Sequence, residues 1–137
     1  KTRAHLIRAV MEGVGYALRH NMDTAVGAGV NPRILRAMGG SANSLVWTQI
    51  KSDITGLEIE VPSSDTATTL GAAILAGVGC GVYSDFPSAV AKTIAVRRRH
   101  TPDAGNRYAY ETGYARYLEL YRRLETMMDG GRQECEQ

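Results

Sequence analysis

The hydrophobic pattern first predicts a long helix over residues 2–28, in which apolar side chains recur every three or four positions. Further helices are predicted over residues 44–55, 66–80 and 106–128. The third helix is rich in alanine and other small residues, so we expect it to pack tightly against a neighbouring element. The apolar positions of the first helix are Leu6, Ile7, Val10, Met11, Val14, Ala17 and Leu18.

Two short stretches between these helices are predicted to be strands. Residues 34–38 form an apolar run bounded by Pro32 and a Gly-Gly pair, and residues 57–61 alternate apolar and acidic side chains, as a strand with one solvated face does. Residues 86–96 are predicted as a short helix that leads into an extended segment. Strands that alternate with helices indicate an α/β fold. Because two strands make a poor sheet alone, we expect further strands from sequence outside this chain or from a partner.

Composition and charge exclude several classes of protein. The 137 residues suffice for one domain with a modest core, and the net charge of +2 is too small to indicate a nucleic-acid surface. No apolar run is long enough to cross a bilayer, and the first residues lack the pattern of a secretory signal. Cys80 and Cys135 predict neither a disulfide framework nor a metal site, so we expect a cytoplasmic protein. Because no Met begins the sequence, we expect it to start within a longer protein.

The stretch MGGSANSLVWTQ, residues 38–49, joins the first predicted strand to the second helix. Its two glycines permit backbone conformations closed to other residues and remove side chains where a ligand would approach. The free N–H groups of the helix that follows favour a phosphate, and Ser41, Asn43 and Ser44 can hydrogen-bond a ribose or base edge. The alternative is a tight turn in which Ser or Asn caps the helix. Spacing alone leaves both interpretations open, because the stretch is neither a P-loop nor GxGxxG.

Four features in chain order carry a more specific signal. They are the helix that opens TRAHLIRAVMEG, the Gly-Gly turn with its helix ending at Gly56, the strand ending at Val61-Pro62, and the segment TLGAAILA at residues 69–76. The first is similar to an R-A-x-x-E-G helix and the last to an A-L-G-A-A signature. Together they resemble the C-terminal region of the FGGY family of carbohydrate kinases, and the resemblance covers residues 1 to about 128.

The resemblance implies an α/β fold that is part of the C-terminal lobe of an actin-like, ribonuclease-H-like ATPase, with helices packed on a small sheet and further helices at the C-terminus. Residues 1–128 would be the C-terminal domain fragment of a sugar kinase and residues 129–137 a flexible tail. Family members transfer the γ-phosphate of ATP to a sugar hydroxyl with the help of Mg²⁺, and their Gly-Gly turn belongs to the adenosine site. The nucleotide-binding residues implied here are Gly39, Gly40, Ser41 and Ser44.

The resemblance also implies what this chain does not supply. The catalytic Asp and the first phosphate loop of the family lie outside the matched stretch, so no residue here is assigned as catalytic and Mg²⁺ would be held mainly by other parts of the protein. A pentulose such as xylulose is the favoured sugar. The expected partners are ATP or ADP, the sugar and a second copy in a homodimer, without nucleic acid or membrane. The alternative is a free-standing, non-catalytic nucleotide-binding or assembly module of the same ancestry.

Other residues that could carry chemistry have structural interpretations. Asp65 or Ser64 is expected to cap the third helix, Asp53 to lie on a helix surface, and Trp47 to pack beneath the turn. The histidines lack metal-ligand spacing and are expected on the surface or in packing roles. A basic run is expected to be solvated rather than to bind an anion, and a tyrosine stripe to pack. These residues are His5, His20 and His100; Arg97, Arg98 and Arg99; and Tyr110, Tyr114, Tyr117 and Tyr121.

Overall fold

The computed structural model describes residues 1–63 and 66–133 and shows an α/β arrangement, as the pattern predicted. Single 3₁₀ turns precede two of the helices, at Gly40–Asn43 and Ala104–Asn106. The predicted cap at Asp65 or Ser64 lies outside the described residues. The elements are α1 (Arg3–Gly27), β1 (Ile34–Arg36), α2 (Leu45–Thr55), β2 (Glu58–Pro62), α3 (Ala67–Gly79), α4 (Phe86–Thr93), β3 (Val96–His100) and α5 (Arg107–Gln133).

The strands form one sheet in the order β1-β2-β3, with β1 parallel and β3 antiparallel to β2. The third strand lies where an extended segment was expected after α4, and it corrects the expectation that strands beyond the first two come only from outside this chain or from a partner. Arg97 and Arg99 of the basic run are exposed, as expected of a solvated run, and Arg98 is half-buried. The sequence of β3, VRRRH, has no apolar alternation that would reveal a strand. Ion pairs with the neighbouring strand β2 hold β3 in place, because Arg99 lies 2.9 Å from Glu60 and 3.7 Å from Glu58.

Glu60 lies in the middle of the sheet and is 4% exposed, so the predicted solvated face of β2 is in fact covered. Its two carboxylate oxygens form ion pairs with Arg36 Nε of β1 at 3.2 Å and with Arg99 Nη2 of β3 at 2.9 Å. Both arginines stand directly opposite Glu60 in the strand register. A buried carboxylate is tolerated only when it is paired, so this row of three residues joins all three strands.

The core lies where α2 meets α1 and α5. Ile50 and Ile54 of α2 pack with Tyr110 of α5, and Met11 and Tyr16 of α1 lie against them. Gly15 lets α1 approach closely, since a Cβ at this position would lie 2.6 Å from Ile54 Cδ1. The central position of α2 fixes the start of this helix, and hence the turn before it, against the rest of the molecule.

The tyrosine stripe of α5 packs against α1, which confirms the predicted packing role. The ring of Tyr16 lies within 6.4 Å of three tyrosine rings of α5, and Tyr114 donates its hydroxyl to Asp23 Oδ2 at 2.5 Å. His20 packs edge-on to Tyr121, with ring centroids 4.8 Å apart. The helix continues to Gln133, beyond its predicted end at Met128, and residues 134–137 of the predicted tail lie outside the described residues.

Asp53 corrects another prediction, because it is buried rather than on a helix surface. Its Oδ1 accepts hydrogen bonds from Gln49 Nε2 at 2.7 Å and from the backbone N–H of Asp103 at 2.9 Å. Its Oδ2 accepts from Asn106 Nδ2 at 2.9 Å. The carboxylate therefore ties the loop that precedes α5 to α2, through partners about fifty residues away that no local pattern indicates.

Part of the apolar surface predicted for α1 is not covered within the described residues. Leu6 and Val10 remain 68% and 64% exposed, and Ile7 and Val14 lie on the same uncovered side. Strand β1 is likewise an edge strand of the described sheet. An apolar helix face and an unpaired strand edge are features that proteins ordinarily cover.

Two glycines in the middle of α1, Gly13 and Gly15, should respond oppositely to alanine. Gly15→Ala forces the buried Ile54 side chain to move, and overpacking of this kind destabilises by about 1–3 kcal/mol. Gly13→Ala is the matched control, since its Cβ would meet nothing within 4 Å and alanine favours a helix interior by about 0.5–1 kcal/mol. Thermal unfolding of the intact protein should rank Gly13→Ala at or above wild type and Gly15→Ala below both. Equal midpoints for the two variants would contradict close α1–α2 packing at Gly15.

Removing the Asp53 carboxylate should lower the free energy of unfolding more than removing any one of its hydrogen-bond donors. Asp53→Ala leaves the Gln49, Asp103 and Asn106 donors without this acceptor, and we expect a loss of about 2–3 kcal/mol in urea unfolding. Asn106→Ala deletes only one hydrogen bond to the carboxylate, so its loss should be about 1 kcal/mol. A loss no larger for Asp53→Ala than for Asn106→Ala would show that the carboxylate does not organise this loop.

Candidate functional site

The residues predicted to bind a nucleotide lie together in one turn between β1 and α2. Gly39 begins it with φ +82° and ψ −178°, a conformation that is essentially restricted to glycine. The N–H of Ala42 donates to the carbonyl of Gly39 at 3.0 Å, which closes the 3₁₀ turn. A Cβ at Gly39 or Gly40 would meet nothing within 4 Å, so the backbone of both glycines is open on that side. The turn thus offers exposed main chain to a ligand.

Ser44 is the N-cap of α2, as the alternative interpretation of the turn proposed. Its Oγ accepts from the N–H of Trp47 at 3.3 Å, and its carbonyl accepts from the N–H of Thr48 at 3.1 Å. The cap does not exclude a ligand, since the hydroxyl can still donate its own hydrogen. The first N–H groups of α2, at Leu45 and Val46, lie at the positively polarised end of the helix.

Two arginines of β3 hold the turn, which the sequence interpretation of the basic run did not predict. Arg97 Nη2 donates to Asn43 Oδ1 at 2.7 Å, so the oxygen of this amide is already engaged, and only its NH2 group could hydrogen-bond a ribose or base. Arg98 Nη2 donates to the carbonyl of Ala42, which is 3% exposed. The available signal was strand periodicity, because alternate residues of a strand share a face and Arg98 therefore lies beside His100.

His100 lies below the turn and is 8% exposed, in a packing role as expected for the histidines. Its Nδ1 lies 3.0 Å from Gln49 Oε1, and its Nε2 lies 3.1 Å from Arg98 Nε. Burial lowers the pKa of His100, the positive charge of Arg98 lowers it further, and the negative charge of Asp53 opposes both. The imidazole is consequently neutral at pH 7.

Trp47 is half-buried in α2, and the Lys51 ammonium lies 4.1 Å from the centre of its ring. Its indole Nε1 is buried and makes no hydrogen bond to the part of the chain that the structure describes. Burial lowers the pKa of Lys51. This cation–π pair joins successive turns of α2 and contributes to the stability of the helix that Ser44 caps.

A small apolar pocket of about 140 Å³ adjoins the start of the turn. It lies between the ends of the strands and α3, where Gly71 leaves room beside Leu70 and Ile74. Met38, the residue before Gly39, forms part of its wall. The turn therefore combines open backbone, a helix N-terminus and an adjacent apolar recess.

Neither a metal centre nor a membrane helix appears in the described ranges. No three His, Cys, Asp or Glu side chains there converge as a metal site requires. None of the helices in those ranges combines the length and hydropathy needed to cross a bilayer. Cys80 is exposed, and Cys135 lies beyond residue 133.

Comparison with known proteins agrees with the resemblance carried by the turn and its neighbours. The model of the C-terminal domain of the FGGY family of carbohydrate kinases matches residues 1–80. The L-xylulose/3-keto-L-gulonate kinase of Escherichia coli is 36% identical over 90% of this chain and 25% of its own length. The autoinducer-2 kinase of Salmonella paratyphi B is 34% identical over 94% of this chain and 24% of its own length.

A solved structure shows the same fold. The xylulose kinase of Rhodospirillum rubrum has a TM-score of 0.82 and 28% sequence identity, over 93% of this chain and 26% of its own. The chain spans about a quarter of the length of each of these proteins.

The matched family model covers more than half of the chain and includes the whole turn. The chain therefore belongs to the FGGY family of carbohydrate kinases, in its C-terminal domain.

Proposed function

We propose that the protein containing this chain is an ATP-dependent carbohydrate kinase and that the Gly39–Ser44 turn forms its adenosine site. The observation that carries the proposal is Gly39, held at φ +82° and opening onto exposed backbone at the start of an 11-residue helix. Gly39 and Gly40 would admit the nucleotide to the main chain, while Ser41 and Ser44 would supply hydroxyl groups. The family match supports this assignment because it includes the turn.

The donor set of the turn suits a nucleotide rather than a metal ion. Residues 38–49 contain no carboxylate, whereas Mg²⁺ is held mainly by carboxylates, waters and substrate phosphates. When bound to ATP, Mg²⁺ neutralises charge on the phosphates during transfer. We therefore propose that this chain binds the nucleoside and that the metal, the catalytic Asp and the clamp on the γ-phosphate belong to other parts of the protein. The fragment alone would not be catalytic.

We propose a pentulose such as xylulose as the sugar. Two of the similar proteins are named for xylulose, although the autoinducer-2 kinase is nearly as similar to this chain. An assay of ATP-dependent phosphorylation by the full-length protein, with pentuloses compared against glycerol, tests the choice of sugar.

We also propose that the protein is cytoplasmic and a homodimer. Cell fractionation would test the location, and sedimentation would test the oligomeric state.

The kinase and the free-standing module differ in what covers the apolar face of α1 and the edge of β1. In a kinase, other parts of the same polypeptide cover both, while in a module a second copy does so. The similar proteins are about four times as long as this chain, which supports the kinase. The mass of the native polypeptide, read by immunoblot, decides between them: a band of the fragment's own size would overturn the kinase proposal.

Alanine at the glycines of the turn should weaken ATP binding. Gly39→Ala places a side chain in a conformation that is strained by about 1–3 kcal/mol, so the turn deforms and the KM for ATP should rise about tenfold. Gly40→Ala has ordinary backbone angles but projects a methyl group into the space proposed for the nucleotide. It should raise the same KM with little loss of stability.

Gly56→Ala is the matched control for strain. Gly56 ends α2 with φ +70°, so alanine there also destabilises the fold, but at the opposite end of the helix. Its KM for ATP should stay at the wild-type value, and the KM for the sugar should be unchanged in all three variants. Wild-type KM values for ATP in both Gly39→Ala and Gly40→Ala would refute the assignment of the turn.

A further inference from the structure

A chain of hydrogen bonds connects α2 to the turn through β3, and its polarity is fixed. Gln49 Nε2 donates to Asp53 Oδ1 at 2.7 Å and to the carbonyl of Thr101 at 2.8 Å. Both partners are acceptors, so the amide group can face only one way and Gln49 Oε1 points to His100. Since Oε1 can only accept, His100 Nδ1 carries the hydrogen of their 3.0 Å contact.

The other ring nitrogen of His100 must accept. Arg98 Nε always carries a hydrogen and lies 3.1 Å from His100 Nε2, so Nε2 receives that hydrogen bond. The imidazole is thereby specified as neutral, with its hydrogen on Nδ1. At its far end the same guanidinium donates from Nη2 to the buried carbonyl of Ala42, in the middle of the turn. One planar group thus joins the histidine to the turn.

We propose that Arg98 is a positioning residue for the nucleotide turn, an inference that rests on the proposed function. Arg98 holds the turn only while His100 is neutral. Protonation would place a hydrogen on His100 Nε2 against the hydrogen of Arg98 Nε. Two donors and two positive charges would then face each other, and Arg98 would have to turn away from its bond with Ala42. The turn would lose the contact that fixes its middle carbonyl, and ATP affinity would fall.

The charged groups around His100 favour its neutral form. Arg98 faces it along β3, and Arg8 of α1 and Asp53 of α2 share with it a cavity of about 380 Å³. Only Asp53 is acidic, and its oxygens are already engaged by Gln49, Asp103 and Asn106. Burial and Arg98 accordingly lower the pKa of His100 from its ordinary value of 6.5.

The direction of the pH effect follows from that lowered pKa. Because the folded protein holds the neutral histidine more tightly than the unfolded chain does, the contribution of His100 to stability is present above pH 6.5 and is lost as the pH falls through the lower, folded pKa. The hold on the turn should be lost as the pH falls through the same folded pKa. Affinity for ATP should therefore be constant near pH 8 and decrease once the pH falls far enough below 6.5 for the folded histidine to take up a proton.

The first variant tests the positioning role of Arg98. Arg98→Lys keeps the charge, but its single ammonium cannot span both His100 Nε2 and the carbonyl of Ala42 as the guanidinium does. In the full-length protein at pH 8, its KM for ATP should rise about tenfold, while kcat and the KM for the sugar change little. Arg123→Lys is the matched control, because Arg123 is exposed on α5 and pairs with Glu119 of the same helix rather than with the turn or the sheet. It should leave the KM for ATP unchanged.

The second variant tests the role of protonation. His100→Gln removes the titrating group while keeping a donor and an acceptor, and His100→Asn is the shorter substitute if the first does not fold. ADP binding by the full-length protein, measured by titration calorimetry from pH 8 down to the lowest pH at which both proteins remain folded, should weaken below pH 6.5 in wild type and stay nearly constant in the variant. The ionisation of ADP itself affects both proteins alike, so the difference between them isolates His100.

The outcomes separate this inference from the function on which it rests. Unchanged KM for ATP in Arg98→Lys, or the same pH profile for wild type and the His100 variant, would overturn the inference while leaving the kinase in place. A wild-type protein that shows neither ADP binding nor ATP-dependent phosphorylation would overturn the proposed function and the inference with it. A raised KM in Arg98→Lys together with a flattened profile in His100→Gln would establish both.

Discussion

The buried carboxylate of Glu60 is the constraint on which the geometry of the site depends. It is 4% exposed and lies between Arg36 and Arg99, one from each neighbouring strand. A shift of either strand by one residue would move its arginine to the opposite face and leave a buried charge partly unpaired. In the resulting register, the C-terminal end of β1, where the glycine turn begins, lies at the same end of the sheet as the first residues of β3. The arginines that hold the turn are among those first residues.

Much of this arrangement could be predicted from the sequence where the interactions are local. The helices, the first two strands and the glycine turn follow from periodicity and turn chemistry, and Ser44 could be recognised as a cap from its position. Strand β3 could not, because three successive arginines lack a strand pattern and their partners are on β2. The burial of Asp53 was hidden for the same reason, since its donors Asp103 and Asn106 lie far along the chain. In the candidate site, the glycines were predictable and the arginines that anchor them were not.

The proposed nucleotide site is made largely of main chain, and this bears on the choice of sugar. Backbone groups and a helix N-terminus recognise a nucleotide without regard to the acceptor that will be phosphorylated. Under this proposal, similarity in this part of the chain both to a xylulose kinase and to an autoinducer-2 kinase does not separate one sugar from another. The pentulose proposal consequently depends on direct assay of the whole protein, while the assignment of the turn depends on Gly39 and its surroundings.

A site built from main chain also leaves one means of adjusting affinity, which is the set of contacts that hold the backbone in place. Here the contact that fixes the middle of the turn is the hydrogen bond from Arg98 Nη2 to the carbonyl of Ala42. The hydroxyl of Thr48 lies 3.4 Å from the same carbonyl, but its single hydrogen goes to the carbonyl of Ser44 at 2.8 Å. Arg98 belongs to another strand and is itself held by a histidine, so in the proposed arrangement its contact with the turn depends on a proton. Sensitivity to pH would thus enter the nucleotide site through β3, without any titrating group in contact with the nucleotide.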